Sequence, residues 1–584
     1  MKLTGAQIIC RLLEQFGIET VSGIPGGSIL PLYNELNKSK IKHILVRQEQ
    51  AAGFIAQGMT RSSGKPAVCL ATSGPGAMNL LTAIADARAD SIPIIAITGQ
   101  VNTSLIGTDA FQEADTFGLS FPISKHSIAV KTPQELLTAI PQSFKIAMEG
   151  RPGPVLIDVP RDVQCAECEV TEFPDTSAFY PSKDEIRFAT KPETLNVLVE
   201  EACKLFLDSK KCVMYLGGGC SNPESAELIR KFKKEFPLPV VSSLMGLGAI
   251  PKSDEDFCGM VGMHGSFAAN KAMSESDLVF ALGVRFDDRA TGVVEKFCPN
   301  AKIIHIDIDA AEINKILPSS ISMVGRIEKI IPEIIKTLIN LKSSSDKKAT
   351  EARENWRKSI IDLKNENYSN KLGSPKDFDS TKLENPRSFI ENVVPLAKKM
   401  NINENDIIVT TDVGQHQMFA SQYYPINNVR SFLTSGSLGT MGFGLPAALG
   451  ASLSYPQKKV ICFSGDGSIL MNIQELATLK ENNLDVTIIL FVNGTLGMVY
   501  QQQKYLFNEN YSASIFDTAP DFLKIAEGFG IEGTCANTDK EWYKKAFNRP
   551  ENNKPFIVTV YVDKEENVLP FVPGGKANID AILN

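Results

Sequence analysis

No apolar run in this 584-residue sequence approaches the roughly 18 residues that a membrane-spanning helix needs, so no segment is expected to cross a bilayer. Basic charge is not in excess either. Sixty Lys and Arg stand against 67 Asp and Glu, a net charge of -7. That leaves no cationic face for nucleic acid or acidic lipid and points to a small-molecule substrate. Paired cysteine signals are missing as well. The 11 cysteines are scattered, and the one close pair, Cys165 and Cys168, has no second pair at zinc-ribbon spacing, so it reads as a surface coincidence. An odd number of thiols in a long chain suits a reducing compartment. The opening stretch MKLTGAQIICRLLEQFG reads as an amphipathic helix running into the first domain. It carries neither the apolar block of a signal peptide nor an Arg/Ser-rich transit segment, which fits the cytoplasm, or a plastid stroma if the gene is carried there.

What is present is a repeating α/β pattern. The chain is too long for one core. HILV (43–46), PAVCLA (66–71) and PIIAIT (93–98) read as strands, with helices at 50–60 and 77–88 between them. CVMYLG (212–217), LPVVSS (238–243), DLVFALG (277–283) and KIIHIDI (302–308) repeat the pattern, as do DIIVTTD (406–412), KVICFSGD (459–466) and DVTIILFVN (485–493). Short, continuously apolar strands alternating with helices predict three consecutive doubly wound α/β domains with parallel sheets. The boundaries are expected in the Pro- and acid-rich stretch 173–192 and in the polar, Lys/Ser/Asn-rich stretch 342–388. The expected spans are therefore 1–180, 190–342, a linker at 343–388, and 389–584.

Ligands of open parallel sheets bind beyond the carboxyl ends of the strands. Glycines and polar residues cluster there: Gly26–Gly27, Glu49, Ser73–Gly76, Gly217–Gly219, Gly414–His416, Gly465–Ser468 and Asn493. Asp466 and Asn493 end neighbouring strands and offer one charged and one neutral oxygen. With the backbone carbonyl of Thr495, they leave room for phosphate and water around Mg²⁺. Gly467 allows close backbone approach, and Ser468 opens a helix whose free N–H groups favour an anion. Alone, Gly465-Asp466-Gly467 is equally a plain strand–turn–helix with an Asp cap. Glu49, taken locally, reads first as a helix cap.

Asn493 at this distance from Gly465-Asp466-Gly467 resembles the signature of thiamine-diphosphate-dependent enzymes. Gly23-Ile24-Pro25-Gly26-Gly27 followed by Val46-Arg47-Gln48-Glu49-Gln50 is similar to that family's pyrimidine-binding half. The resemblance implies a pyrimidine-binding first domain, a central domain, and a third domain for diphosphate and Mg²⁺. It implies that Glu49 hydrogen-bonds the cofactor's N1′ and promotes deprotonation of thiazolium C2. It further implies that Gln415, His416, Ser468 and Met498 contact the cofactor, that the Gly439 carbonyl accepts from its 4′-amino group, and that Met441 bends it. Glu49 and Asp466 then come from different subunits, so the smallest active unit is a homodimer, within that or a higher homo-oligomer.

Within that family, ATSGPGAMNLLTAIADA, TGQVNTSLIGTDAFQEAD, GRPGPVLIDVP, ALGVRFDDRATG and GDGSILMNIQELATL resemble the biosynthetic acetolactate synthases. Gly27, Phe111 and Gln112 match positions around the reacting centre, and Arg289 matches a guanidinium that holds the second substrate's carboxylate. Gly217, Gly218, Gly219, Met263, His264, Gly265, Arg285, Asp288, Asp307 and Asp309 match positions that hold a structural FAD. The implied reaction decarboxylates pyruvate on thiamine diphosphate. It then condenses the two-carbon unit with a second pyruvate or with 2-oxobutanoate, for branched-chain amino-acid synthesis. A separate small regulatory subunit is the implied partner. The alternative is another carboligase or acyltransferase of this family, such as one acting on sulfoacetaldehyde. The sequence departs from the pattern at Val492, where a further Asn is usual, at Arg161 in place of Lys, and at Gln502 in place of Trp.

Overall fold

The ten apolar runs all form strands, and most are buried along their whole length; Lys42–Leu45, on a sheet edge, is not. The computed structural model describes residues 1–180, 189–341, 346–366, 383–547 and 554–583. Among them the strands build three six-stranded sheets with every internal pairing parallel. A short antiparallel pair, Lys2–Thr4 with Glu167–Glu169, stands apart. Cys168 lies buried in that pair and Cys165 is exposed, both as free thiols.

The first sheet runs Lys42–Leu45, Thr20–Gly23, Ala67–Ala71, Ile94–Gln100, Val155–Pro160, His126–Ala129. The third runs Phe432–Leu433, Ile407–Thr411, Lys459–Gly465, Val486–Val492, Phe556–Tyr561, Glu532–Cys535 and has the same topology. The central sheet, Phe257–Met260, Val240–Ser242, Cys212–Leu216, Leu278–Leu282, Lys302–Asp307, Ile321–Val324, follows the dinucleotide-fold strand order. In each sheet the order reverses beside the strand that comes first in that sheet, which opens a crevice between two strand tips; the first and third orders turn back again at the far edge. Those crevices lie at Gly23 and Ala71, at Leu216 and Leu282, and at Thr411 and Gly465.

The first and third domains share one apolar core, joined where helix Glu49–Ser63 meets helix Gly444–Ser454. A Cβ on Gly58 would stand 2.2 Å from the Ala447 carbonyl oxygen, and one on Gly450 2.1 Å from that of Ile55. The missing side chains let the two backbones touch. Phe54 packs edge-on against Phe443 beside this contact.

Residues 347–365, within the stretch expected as a linker, form a helix whose Trp356 and Ile360 join the core of the central domain. Arg353 caps the end of helix Pro192–Asp208, and Arg357 pairs with Asp256. The apolar residues there are few and spread among charges, which hides the amphipathic face. Part of the first expected boundary, 181–188, and much of the second, 342–345 and 367–382, lie outside the described residues. Among the described residues no helix is long and apolar enough to cross a membrane.

The helix contact is tight enough to be tested. Gly58→Val should lower the unfolding free energy by about 1–3 kcal/mol, because an added side chain has no room to fold away. Urea unfolding of the purified variant against the parent measures it, and an unchanged midpoint would mean the helices separate without cost.

Candidate active site

The tips of the third sheet bring together residues far apart in sequence. Strand Lys459–Gly465 delivers Asp466, and strand Val486–Val492 delivers Asn493 beside it. Asp466 accepts backbone N–H bonds from Asn493 at 3.0 Å, Gly494 at 2.7 Å and Gly467 at 3.0 Å. Burial still pushes its carboxyl up to about 6, against the pull of those N–H groups. The Asn493 amide oxygen accepts from the Thr495 N–H at 3.1 Å, and the Asn493 amide nitrogen donates to Gln415 at 3.3 Å. Gln415 is oriented from behind by donation to Gln501 and to the Glu566 carbonyl, both at 3.1 Å.

Two groups in this cluster have no partner among the described residues: His416 Nε2 and Thr495 Oγ1, both buried. Burial lowers His416 to about 3, so its ring is neutral and offers one donor and one acceptor. A buried carboxylate, an amide oxygen and nearby carbonyls form an all-oxygen set that suits a hard divalent cation. No three His, Cys, Asp or Glu side chains converge on a possible metal among the described residues. A cation here therefore needs the mixed set of Asp466, Asn493 and backbone, with added oxygens from an anion. The residues present fit Mg²⁺ and a diphosphate.

This cluster opens into a cavity of about 1100 Å³ that extends to the tips of the central sheet. Gly439, Met441, Ser468, Thr495, Met498 and Gln502 line one arm. Gly217, Gly218, Gly219, Met263, His264, Arg285, Asp288, Arg289 and Asp307 line the other. The second arm holds its own unpaired groups, His264 Nδ1 and Arg326 Nε. Burial lifts Asp307 to about 7 and lowers His264 to about 4. His264 stacks on Phe571. Of the three glycines, Gly217 and Gly219 press on Gly283, and a Cβ at Gly218 would meet only Met245, at 3.3 Å. The first and third glycines thus serve chain packing; the middle one leaves space for a ligand. Gly265 is pressed against Met260 and Val261, and Asp309 pairs with Arg151; neither lines the cavity.

The first-domain candidates gather at the tips of their own sheet. Gly26 stands against Thr72, Gly74 against Gln112, and Gly76 against Glu49, while a Cβ on Gly27 would meet open space. Glu49 is buried at the head of its helix and accepts from Asn79 at 3.0 Å. Phe111 is 88% exposed, and Gln112 sits at φ 60 in the left-handed region. Arg161 is exposed at the start of the short helix after strand Val155–Pro160. Buried Asp158 supports this edge: it accepts from Thr98 at 2.7 Å and from Gln100 at 2.9 Å, and Gln100 also donates to the Ala114 carbonyl. None of Gly26, Gly27, Glu49, Phe111, Gln112 or Arg161 lines the large cavity of the same chain. The first-domain candidates and the cavity thus form two separate clusters within the chain.

Sequence reasoning missed Asn79, Asp412 and the Arg61–Asp86–Asp90 cluster. Asp412, fully buried, receives the N–H groups of Val413 and Gly442 and so shapes both sides of the third-domain crevice. Asp86 and Asp90, four apart on a helix with Ala83, Ile84 and Ala87 on its buried face, were the available signal.

The chain is similar to known proteins along its whole length. Residues 3–119 match the thiamine pyrophosphate enzyme N-terminal TPP binding domain, 199–334 the central domain and 412–560 the C-terminal TPP binding domain. The chain is 46% identical over 585 aligned residues to the acetolactate synthase isozyme 1 large subunit of Escherichia coli, covering 100% of this chain and 98% of that protein. It is 41% identical to a probable acetolactate synthase large subunit of Methanocaldococcus jannaschii, over 98% of this chain and 94% of that protein. The large subunit of Haemophilus influenzae acetolactate synthase is 41% identical, over 100% and 98% respectively.

Burial of Asp158 gives a pH test. Its folded value, about 6, lies above the unfolded carboxyl near ~3.9. Its contribution to stability is thus fully present below the unfolded value and lost as pH rises through the folded one. Asp158→Asn does not titrate. Between about pH 4.5 and about pH 7.5 the stability gap to the parent should shift in the variant's favour by about 2 kcal/mol. Denaturant unfolding of cofactor-free protein across that range measures it, and a pH-independent gap would remove Asp158 as a titrating group.

Proposed function

Because the chain belongs to the thiamine pyrophosphate enzymes, and within them to the acetolactate synthase large subunits, we propose that it decarboxylates pyruvate and joins the two-carbon unit to a second 2-oxo acid. The products are 2-acetolactate from pyruvate and 2-aceto-2-hydroxybutanoate from 2-oxobutanoate, a transferase step of branched-chain amino-acid biosynthesis. The observation that carries this reading is the Asp466–Asn493–Gln415–His416 cluster, with its unpaired buried donors, in a chain similar to those enzymes from end to end.

Asp466, Asn493 and the Thr495 carbonyl would hold Mg²⁺, and Gln415, His416 and Ser468 would receive the diphosphate oxygens. Gly439 offers a backbone carbonyl and Met441 and Met498 offer apolar walls to the rings. When bound, thiamine diphosphate supplies the carbon acid that accepts the electrons released by decarboxylation. Glu49 would hold a proton at the cofactor's pyrimidine N1′, and Asn79 fixes the carboxylate by donating to one of its oxygens. Arg289 receives the acceptor's carboxylate, with Gly27, Phe111, Gln112, Arg161 and Gln502 enclosing the reacting groups. His264, Arg285, Asp288, Asp307 and Gly218 would hold FAD in the central arm as a structural group.

Glu49 and Asp466 open to different spaces within one chain, which supports a homodimer in which each subunit completes the other's site. Met78, Phe111, Leu119 and Phe121 expose large apolar side chains on the Glu49 half, as an interface would require. The relatives' designation as large subunits supports a smaller regulatory partner. Free thiols at every cysteine support a cytoplasmic setting.

Purified protein supplied with pyruvate, thiamine diphosphate and Mg²⁺ should release CO₂ and form acetolactate, and EDTA should abolish both. Turnover of sulfoacetaldehyde instead of pyruvate would replace this reading with the acyltransferase one.

Shared sites make a sharper expectation. Glu49→Gln should cut kcat by roughly 10²–10⁴, and Asp466→Ala should abolish Mg²⁺-dependent cofactor binding. Mixed and re-associated, the two inactive variants should recover about a quarter of parental activity, since half the dimers then hold one intact site. No recovery from exchanging subunits would mean that both groups act within one chain.

Gln502 decides acceptor preference. It lines the cavity with Met441, Met498 and Arg289 and presents a polar amide where the family resemblance leads one to expect an apolar indole. One methylene is worth about 1–3 kcal/mol in an apolar pocket. The parent should thus discriminate weakly between pyruvate and 2-oxobutanoate, and Gln502→Trp should raise preference for 2-oxobutanoate about tenfold or more. A competition assay with both acceptors tests this; strong preference already in the parent would assign the role to another residue.

A further inference from the structure

The loop 434–442 carries Gly439 and Met441 into the cavity, yet little packing holds its tip. Ser437, Leu438 and Gly439 are exposed, Gly439 has φ 67, and a Cβ there would reach only Val413, at 4.0 Å. Gln417 and Asp412 of its own domain hold its two ends, through the Ser435 carbonyl and the Gly442 N–H, and the fixed points between them come from other domains. Arg61, on helix Glu49–Ser63, donates to the Thr434 carbonyl at 2.9 Å. It also donates to Asp90 at 2.8 Å and Asp86 at 3.4 Å, both on helix Pro75–Asp90. Asp90 accepts the N–H groups of Gly436 at 2.9 Å and Ser437 at 2.8 Å. One oxygen of Asp86 accepts both the Ser435 hydroxyl and, at 2.9 Å, the Thr440 hydroxyl. From the central domain, Arg285 donates to the Ser437 hydroxyl.

All three charges are out of water: the Arg61 side chain is 5% exposed and those of Asp86 and Asp90 0%. Burying such a cluster is costly, and apolar packing of equal volume commonly does as well for stability. What it provides is direction, because a guanidinium fork and two carboxylates bind only a loop of one shape. The two helices also hold the opposite half-site, for Asn79 of one donates to Glu49 of the other. Burial raises Asp86, while Arg61 and the Gly436 N–H outweigh burial and keep Asp90 low.

We infer that Arg61, Asp86 and Asp90 are positioning residues that set the conformation of loop 435–441, and with it the Gly439 carbonyl and the Met441 side chain, for the cofactor. The inference rests on the reading of this cavity as a thiamine diphosphate site. Its test is equilibrium binding of thiamine diphosphate with Mg²⁺, by calorimetry on the full chain, together with amide hydrogen exchange of loop 435–441.

Arg61→Lys keeps the charge but loses the fork, and should weaken binding at least tenfold while speeding exchange at Gly436 and Ser437. Thr440→Val removes one hydroxyl bond and leaves no buried charge unpaired; it should weaken binding several-fold. Asp485→Asn, which breaks the buried Lys459–Asp485 pair at the far end of the third sheet, should destabilise the protein with no change in cofactor affinity. Unchanged affinity in both loop-network variants, or an equal loss in Asp485→Asn, would overturn the inference. A parent chain that does not bind thiamine diphosphate would instead overturn the reading beneath it.

Discussion

Two helices without side chains at their crossing set the distance on which the rest of this molecule depends. Gly58 lies on the Ala447 carbonyl and Gly450 on that of Ile55, so helices Glu49–Ser63 and Gly444–Ser454 meet backbone to backbone. Close approach brings the first and third sheets into one apolar core. It also brings the far end of the Glu49 helix, with Arg61, onto the loop that follows strand Phe432–Leu433. The same helix thus presents an acid at its head and a guanidinium near its tail, about 18 Å apart at 1.5 Å per residue.

Buried charge collects where the sheets reverse. Parallel strands leave their tips unpaired and cover their faces with helices, so a polar residue at a tip is desolvated but surrounded by N–H groups. Asp412 and Asp466 stand there, and Asp158 lies within strand Val155–Pro160 of the first sheet. Each is pushed up to about 6 by burial and pulled back by the hydrogen bonds it accepts. The balance differs by use. Asp412 and Asp158 have their acceptors taken up by the fold, whereas the groups beside Asp466, His416 and Thr495, keep atoms without partners. Unpaired buried polar atoms cost stability wherever they occur, and several of them here face the large cavity.

The first and third domains repeat one strand order, and the proposed cofactor is expected to need both. Within a chain their half-sites stay apart, the first opening to an exposed apolar edge around Phe111 and Phe121. The central sheet, with the dinucleotide strand order, closes the cavity from the other side through Arg285 and Arg289. That arrangement supports the proposed pairing of subunits, in which each would complete the other's site.

The residue pattern alone specified three parallel α/β units, because continuous apolar strands alternating with helices are buried on both faces only in covered parallel sheets. It also marked the strand-tip residues Glu49, Asp466 and Asn493, because chemistry at a strand tip needs a polar residue where the pattern breaks. Local patterning did not reveal that helix Lys347–Asn365 packs on the central domain, since a few apolar residues among many charges, Trp356 and Ile360 first, decide it. Nor could it show that Gly217 and Gly219 serve Gly283 rather than a ligand, because the contact joins residues more than sixty positions apart. Only the tertiary structure decided that Asn79 orients Glu49 and that Arg61, Asp86 and Asp90 hold the loop at Ser435. Those bonds depend on the crossing of helices from two domains, and nothing along the chain encodes an angle in space.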